Sequence, residues 1–221
     1  MAAAAHIVGL GAADWCRRGI AGSPGTKLIS VSGDCERPGL YEIEWGMEVA
    51  TLLDLCGARD PYYMQVSGPS GECISMAEQH RAISMPNLLE RKDIRCGGSF
   101  MVFSRDRDLI QILLNFAAFF RHESCGICTP CRAGNFILLR QLEKLARGLA
   151  LPTDIDDIHA WGAIMKAASR CGLGKTAANT PIMATEKFRD YFDARRGQHD
   201  GLAHAFDLAR ATAPYEQFCT S

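Results

Sequence analysis

Residues 122–135 read HESCGICTPCRAGN, and three cysteines in this stretch, Cys125, Cys128 and Cys131, recur at intervals of three. A fourth cysteine, Cys171, lies further along the chain in the stretch SRCGLG. Thiols placed this close together can bind a metal, form a redox disulfide or have no shared role. The rest of the sequence has to discriminate among these three interpretations.

The spacing of the four cysteines favours an iron–sulfur cluster over zinc. Structural zinc sites usually draw their ligands as two separated C-x2-C pairs. Three ligands in one run with a remote fourth is the arrangement of cubane clusters, whose large core is reached by successive C-x2-C ligands. We predict that Cys125, Cys128, Cys131 and Cys171 ligate one [4Fe–4S] cluster. A zinc site that holds an interaction module together and a metal-free thiol redox enzyme are the alternatives.

The residues around these cysteines suit an anionic group. Pro130 and the residues after it predict a helix start, whose free N–H groups and positive dipole end favour negative charge. Gly126 and Gly172 would let the backbone approach the inorganic sulfides of a cluster. Arg132 and Arg170 each adjoin a predicted ligand and would offset its charge.

The other six cysteines show no C-x2-C spacing, and free cysteine is among the most often buried residue types. We therefore predict that they fill the core. They are Cys16, Cys35, Cys56, Cys73, Cys96 and Cys219.

Composition excludes some classes of function. The 221 residues carry 24 Lys and Arg against 25 Asp and Glu, so no strong field would attract nucleic acid. No G-x-G-x-x-G motif or complete P-loop is present. The N-terminal residues MAAAAHIVGLGAADW do not resemble a secretory signal, and the apolar stretch 109–120 is too short to span a bilayer. We predict a cytoplasmic chain that binds no nucleic acid and does not insert into a membrane.

Strand and turn patterns dominate before residue 104. Two β-rich runs, 27–31 and 40–45, flank a turn-rich loop and predict a hairpin. Apolar residues at helical spacing follow in 49–56, a helix that should end at Gly57. Further strands are predicted within 62–68, 73–76 and 99–104. This order predicts a small α+β unit whose sheet packs on one helix.

Helical periodicity replaces the strand pattern after residue 104, and four antiparallel helices are predicted. The third should begin with Thr153 or Asp154 as its N-cap, and the fourth should span about 181–194. In such a bundle Cys171, after the third helix, can lie beside the start of the second. The apolar residues predicted to face the core of the first three helices are Leu109, Ile112, Leu113, Phe116, Phe119 and Phe120; Phe136, Ile137, Leu139, Leu142, Leu145 and Leu149; and Ile155, Ile158, Trp161, Ile164 and Met165.

ESCGICTPCRAGN followed by SRCGLG resembles the cluster-binding region of the flavin-carrying, NADH-oxidising subunit of respiratory complex I. The same module occurs in NAD-reducing hydrogenases and NAD-dependent formate dehydrogenases. TKLISVSGDCERPGLYEIEWG, with QVSGPSGE after it, is similar to the ubiquitin-like domain of those subunits. The likeness, which includes AAAAHIVGLGAADW, is strongest to the diaphorase flavin subunit of soluble NAD-reducing hydrogenases, and it weakens after residue 196.

The resemblance implies an α+β fold with a ubiquitin-like (β-grasp) domain followed by a four-helix bundle that carries the [4Fe–4S] cluster. It gives an N-terminal helical arm at 1–25, the ubiquitin-like domain at 26–104, the iron–sulfur bundle at 105–196 and a tail at 197–221. The four predicted ligands match the family's four cluster cysteines position by position. In the family this cluster passes single electrons from reduced flavin to neighbouring Fe–S subunits.

The family's FMN- and NADH-binding domain precedes this region, and the chain begins about where that domain would end. FMN and NAD are therefore expected on that domain or on a partner. The chain is expected to be part of an oxidoreductase complex and not a complete enzyme by itself. The implied partners are Fe–S or flavin subunits of a hydrogenase, a formate dehydrogenase or a complex I-like assembly.

Overall fold

The computed structural model describes residues 2–84 and 97–197. Two short helices open the chain, α1 (Ala2–Leu10) and α2 (Ala12–Cys16), and a two-stranded ribbon follows, β1 (Gly19–Ile20) with β2 (Ser23–Pro24). The indole of Trp15 lies on the backbone of Gly25, where a Cβ atom would be 2.0 Å from Trp15 Cε2. Helix α2 is thereby held against the start of the sheet.

A mixed five-stranded sheet forms the first half of the structure. Its strands are β3 (Thr26–Gly33), β4 (Gly39–Glu44), β5 (Pro61–Val66), β6 (Glu72–Ser75) and β7 (Ser99–Ser104), in the order β4-β3-β7-β5-β6. The predicted hairpin is confirmed, with Ile29 opposite Tyr41, and the later strands occur where the pattern placed them. β3 and β7 run parallel at the centre, whereas the other pairs are antiparallel.

Helix α3 (Val49–Cys56) supplies the apolar face that covers this sheet. It ends at Gly57 as predicted, because Gly57 takes the left-handed conformation (φ 67°, ψ 47°) that closes a helix C-terminus. Its buried side chains join alternate residues of the strands in one core, and each fully buried aliphatic residue contributes about 1.5–3 kcal/mol. That core consists of Ile29, Val31, Ile43, Val49, Leu52, Leu53, Cys56, Met64, Val66, Ile74, Ile83, Phe100 and Val102.

Helices make up the second half: α4 (Leu109–Glu123), α5 (Thr129–Ala146), α6 (Pro152–Ala168), α7 (Gly172–Thr176), α8 (Asn179–Lys187) and α9 (Arg189–Asp193). Three predictions need correction. α6 begins at Pro152, before the expected N-cap, and α7 occupies the predicted loop after Cys171. The predicted fourth helix is interrupted at Phe188, whose ring packs on Tyr62 and Tyr63 of β5, with centroids 5.0 and 6.0 Å apart.

The buried faces of these helices differ in part from the predicted ones. Phe119, Phe136, Leu149 and Ile164 are exposed. On α4 and α5, Ile110, Ala117 and Leu138 face the core instead. Among the described residues, every helix is too short or too polar to cross a membrane.

A buried polar contact joins the sheet to the helices. The turn after β5 sits on the start of α8, where Thr180 donates to the carbonyl oxygen of Pro69 (2.8 Å) and Asn179 donates to that of Ser70 (2.9 Å). The Gln65 side chain donates to the Thr180 hydroxyl (2.9 Å) and to the carbonyl oxygen of Gly68 (2.8 Å). Each of these buried donors has its acceptor, so the sheet and the helices are fixed in one orientation.

A cluster of charged side chains lies beside this contact. Glu72 is fully buried and lies 2.7 Å from the guanidinium of Arg81, which also binds Glu78 (2.9 Å). The ammonium group of Lys187 donates to Glu78 (3.0 Å) and to the carbonyl oxygen of Cys73 (2.8 Å), and lies 3.6 Å from Glu72. Within the described residues, Arg81 and Lys187 thus face Glu72 and Glu78 where water has little access.

The link between Asp34 and Arg107 should give the protein a dependence of stability on pH. Arg107 donates to both carboxylate oxygens of Asp34 (2.7 and 3.0 Å), and the N–H of Ser104 also donates to Asp34 (3.0 Å). The Arg107 hydrogen bonds hold the pKa of Asp34 below its ordinary value of 3.8. A lowered pKa stabilises the folded state above that value, and this contribution disappears as the pH falls through the folded-state pKa.

We expect Asp34→Asn to be less stable than the wild type at pH 7 and to approach the wild type as the pH is lowered below about 4. Urea midpoints across this range measure the difference. Asp106→Asn, at an exposed position beside Arg107 in the turn after β7, is the control and should change the urea midpoint little. A constant gap between Asp34→Asn and the wild type at every pH would contradict the assignment.

Candidate iron–sulfur site

The predicted ligand cysteines all lie at or near helix ends. Cys125 and Cys128 are in the loop between α4 and α5, where Cys128 is the N-cap of α5. Cys131 is in the first turn of α5, with Pro130 before it, as the sequence predicted. Cys171 precedes α7, which packs against both α5 and α6. The fold therefore carries Cys171 to the end of α5 that holds the other three.

Three of the four thiols influence one another directly. Burial raises the pKa of Cys131, and the neighbouring thiols of Cys128 and Cys171 raise it further, while Ser124 acts in the opposite direction. The pKa of Cys128 is lowered, chiefly by the backbone N–H of Arg170. Cys125 is exposed, three residues before Cys128. A backbone donor directed at Cys128 suits a thiolate ligand, since metals bind cysteine in its deprotonated form.

The buried sulfur of Cys131 has two side-chain partners. Asn135 Nδ2 donates to it at 3.3 Å, and the hydroxyl of Ser124 lies at 3.3 Å. Ser124 Oγ also lies 3.4 Å from the N–H of Gly126. A metal-bound thiolate can accept both hydrogen bonds, so this environment fits a cysteine ligand of an anionic cluster.

The loop that carries Cys125 and Cys128 is closed by Arg132, which donates to the carbonyl oxygen of Gly126 at 2.9 Å. Gly126 needs its freedom here, because its φ of +75° lies in the left-handed region. At Gly172, in contrast, a Cβ atom would meet open space, so the protein packing itself does not require glycine there. Arg170 acts on Cys128 through its backbone N–H.

Gly174 allows α7 to approach α5 closely. A Cβ atom there would lie 2.5 Å from Ser169 Oγ and 2.9 Å from Cys131 Cβ, closer than real contacts allow. We expect Gly174→Ala to lower the free energy of unfolding by about 1–3 kcal/mol because of this overlap. Gly172→Ala in the same short helix has open space and is the matched control. Equal urea midpoints for the two variants would contradict the prediction.

Within residues 2–84 and 97–197, no three His, Cys, Asp or Glu side chains are arranged to hold one metal ion. The four cysteines therefore do not form a compact single-ion site in this structure. The ligands of a cubane each bind a different iron.

Sequence patterns did not identify Asn135, Ser124 or Gly174 as parts of this site. The position of Asn135 could have been predicted, because a residue four positions after Cys131 lies on the same face of the helix. Ser124 directly precedes the cysteine run but carries no motif of its own. Gly174 becomes informative only once α7 is seen against α5.

The prediction that the remaining cysteines are buried is correct only in part. Cys56 and Cys73 are buried, and burial raises the pKa of Cys56 to about 11 and that of Cys73 to about 12. Cys35 is half-buried, and Cys16 is exposed because it ends the short helix α2 at the surface. Cys96 and Cys219 lie outside the described residues.

Comparison with known proteins places this region. Residues 111–195 match the NADH-ubiquinone oxidoreductase-F iron-sulfur binding region. The chain is 44% identical over 207 residues to the NAD-reducing hydrogenase HoxS subunit alpha of Cupriavidus necator, covering 93% of this chain and 34% of that protein. It is 32% identical over 192 residues to an NADH-quinone oxidoreductase subunit of Mycobacterium bovis, covering 83% of this chain and 42% of that one.

Solved structures give the same result. A crystal structure of an NAD+-reducing [NiFe]-hydrogenase in the H2-reduced state superposes with a TM-score of 0.81 at 35% identity, covering 99% of this chain and 38% of that chain. The chain thus spans between a third and a half of the length of these proteins. All four predicted ligands fall within residues 111–195, the segment that matches the NADH-ubiquinone oxidoreductase-F iron-sulfur binding region.

Proposed function

We propose that this chain is an electron-transfer module of an NAD(H)-linked oxidoreductase, and that Cys125, Cys128, Cys131 and Cys171 hold one [4Fe–4S] cluster. The observation that carries the proposal is the convergence of the matched family region with the thiol geometry. Cys128, Cys131 and Cys171 lie close enough to shift the pKa of Cys131, and Asn135 and Ser124 are directed at its sulfur. When bound, the cluster accepts and releases single electrons.

The protein residues would hold and insulate this centre. The N-terminus of α5 presents free N–H groups and a positive dipole end toward the cysteine loop, which favours an anionic group. The burial of Cys131 and the close contact of Gly174 keep water from that side. Cys125 and Cys171 are exposed, so electrons would enter or leave on that side.

We infer a division of the fold that accords with this role. The mixed sheet with its central parallel pair, covered by α3, supports a ubiquitin-like unit, which we place at 26–104, after the arm at 1–25. We place the iron–sulfur bundle at 105–196, built on α4, α5, α6 and the α8–α9 pair, and the tail at 197–221. The two cores, one under α3 and one built mainly by the helices, support this division.

The expected partners are other Fe–S or flavin subunits of a hydrogenase, a complex I-like assembly or a formate dehydrogenase, in the cytoplasm. FMN and NAD would bind to a further domain or to a partner. Exposed apolar side chains at the cysteine loop support a docking role: Ile127 is 66% exposed, and the exposed Phe136 of α5 lines a cavity together with Gly126 of the loop. Exposed apolar patches of this kind mark interaction sites.

Anaerobic purification followed by assay of iron, acid-labile sulfide and zinc tests the proposal. We expect about four irons and four sulfides per chain, and an EPR signal of a reduced cubane after dithionite treatment. One zinc without sulfide would overturn the redox role and leave an interaction module held together by metal. A metal-free protein with an alkylatable, low-pKa cysteine would indicate a thiol redox enzyme.

A further inference from the structure

We propose that Asn135, assisted by Ser124, raises the reduction potential of the centre by donating hydrogen bonds to the sulfur of Cys131. This inference rests on the proposed function. It assigns a positioning and tuning role to two residues that are not ligands. Both contacts are direct, at 3.3 Å from the Cys131 sulfur.

The placement of Asn135 is unusual for a residue with only a packing role. It lies one helical turn after Cys131 on α5 and is 1% exposed. Its Oδ1 atom is buried without a hydrogen-bond partner in the part of the chain that the structure describes. A buried amide that satisfies only one of its ends is destabilising compared with an apolar residue of the same shape. The amide is therefore better explained by its effect on the sulfur than by stability.

The direction of the two hydrogen bonds follows from the chemistry of the ligand. A metal-bound thiolate has lone pairs and no proton, so it can only accept. Asn135 must then present its N–H to the sulfur, as the structure has it, and the Ser124 hydroxyl must donate. Because the backbone N–H of Gly126 lies 3.4 Å from Ser124 Oγ, it favours the rotamer in which the hydroxyl hydrogen points to Cys131.

The sign of the effect follows from charge. Reduction adds one electron to the cluster and its thiolates, and the added negative charge strengthens any hydrogen bond donated to a ligand sulfur. Donors therefore stabilise the reduced form more than the oxidised form, and the potential rises. The effect is large where water is excluded, and Cys131 is the buried member of the four cysteines.

The experiment compares Asn135→Leu with the wild-type chain by EPR-monitored redox titration, after iron and sulfide assay has established equal cluster content. We expect the midpoint of Asn135→Leu to be more negative. At a fixed ambient potential, its ratio of reduced to oxidised cluster should fall about tenfold, the equivalent of one charge-assisted hydrogen bond. Ser124→Ala should shift the midpoint in the same direction.

Gln141→Leu is the matched control. Gln141 is a buried amide further along α5, its Nε2 donates to Asp157 at 3.0 Å, and its Oε1 is also without a partner among the described residues. Removing it perturbs the same helix without touching a cysteine, so its midpoint should equal that of the wild type. Equal midpoints for Asn135→Leu, Gln141→Leu and the wild type, all with full clusters, would overturn the inference and leave the proposed function intact.

A second measurement applies if Asn135→Leu assembles no cluster. Hyperfine spectroscopy of the reduced wild-type protein should then detect a nitrogen coupling and exchangeable protons at the ligand sulfur, and Ser124→Ala should lose one proton coupling. Absence of both couplings in a fully loaded protein would overturn the inference. A wild-type protein with no cluster would instead overturn the proposed function, and the inference with it.

Discussion

Cys171→Ala should abolish stable cluster binding while leaving the fold in place. Three thiolates would remain, and the iron without its fourth ligand would be open to water and oxidants. We expect the iron content to fall from about four per chain to well below that value, with loss of the reduced-cubane EPR signal and of electron transfer. Iron and sulfide assay, EPR and far-UV circular dichroism together measure these effects.

Cys16→Ala is the control for the cysteine substitution. Cys16 is an exposed free thiol at the end of α2, outside the matched family region. The Cys16→Ala protein should retain full iron content and an unchanged EPR spectrum. If Cys171→Ala also retained full iron and an unchanged spectrum, Cys171 would not be a ligand, and the remote fourth position would have to be assigned elsewhere.

Lys187→Met should lower the free energy of unfolding more than Asp34→Asn or Gly174→Ala. Its ammonium group offsets Glu72 and Glu78 inside the contact between β6 and α8, where it also binds the carbonyl oxygen of Cys73. Removing one member of a buried charge cluster leaves negative charge uncompensated, which costs about 3–5 kcal/mol. We expect the free energy of unfolding to fall by about that amount, which urea titration measures as a lower midpoint.

Lys175→Met provides the comparison for Lys187→Met. Lys175 lies on α7 and is exposed, so its replacement should change the free energy of unfolding by no more than about 0.5 kcal/mol. If Lys187→Met were as mild as Lys175→Met, the ammonium group of Lys187 would not be needed to balance Glu72 and Glu78. The contact between sheet and helices would then depend on packing and not on charge.

Local patterns predicted the strands and α3 well, because each element there carries its own signal. The β-rich runs 27–31 and 40–45 flank a turn-rich loop, and Gly57 marks the end of α3. The four cysteines were likewise recognised from spacing and resemblance. Their role as ligands stays a proposal, which metal assay and the Cys171→Ala variant test.

The misassigned elements depend on contacts that are distant in sequence. The predicted fourth helix is interrupted at Phe188, between α8 and α9, where the Phe188 ring packs on Tyr62 and Tyr63. The residues around Phe188 include no glycine or proline that would predict the interruption. The start of α6 is different: Pro152 opens the helix, and the carboxylate of Asp154 accepts the N–H of Leu151 at 2.7 Å. That start follows a known pattern, proline first and an acidic residue in the first turn, and the sequence contains it.

Tyr63 and Cys73 belong to strands, yet their side chains lie in the core of the helices, alongside Leu113, Leu142 and Phe192. Cutting the chain between β7 and α4 would strip these two residues of their cover and leave a hole among the helices. The helices and the sheet thus share one core. If the chain were attached to an electrode or fused to a foreign flavoprotein, we expect the helices to fold only together with the sheet. Heating should unfold both in a single cooperative step.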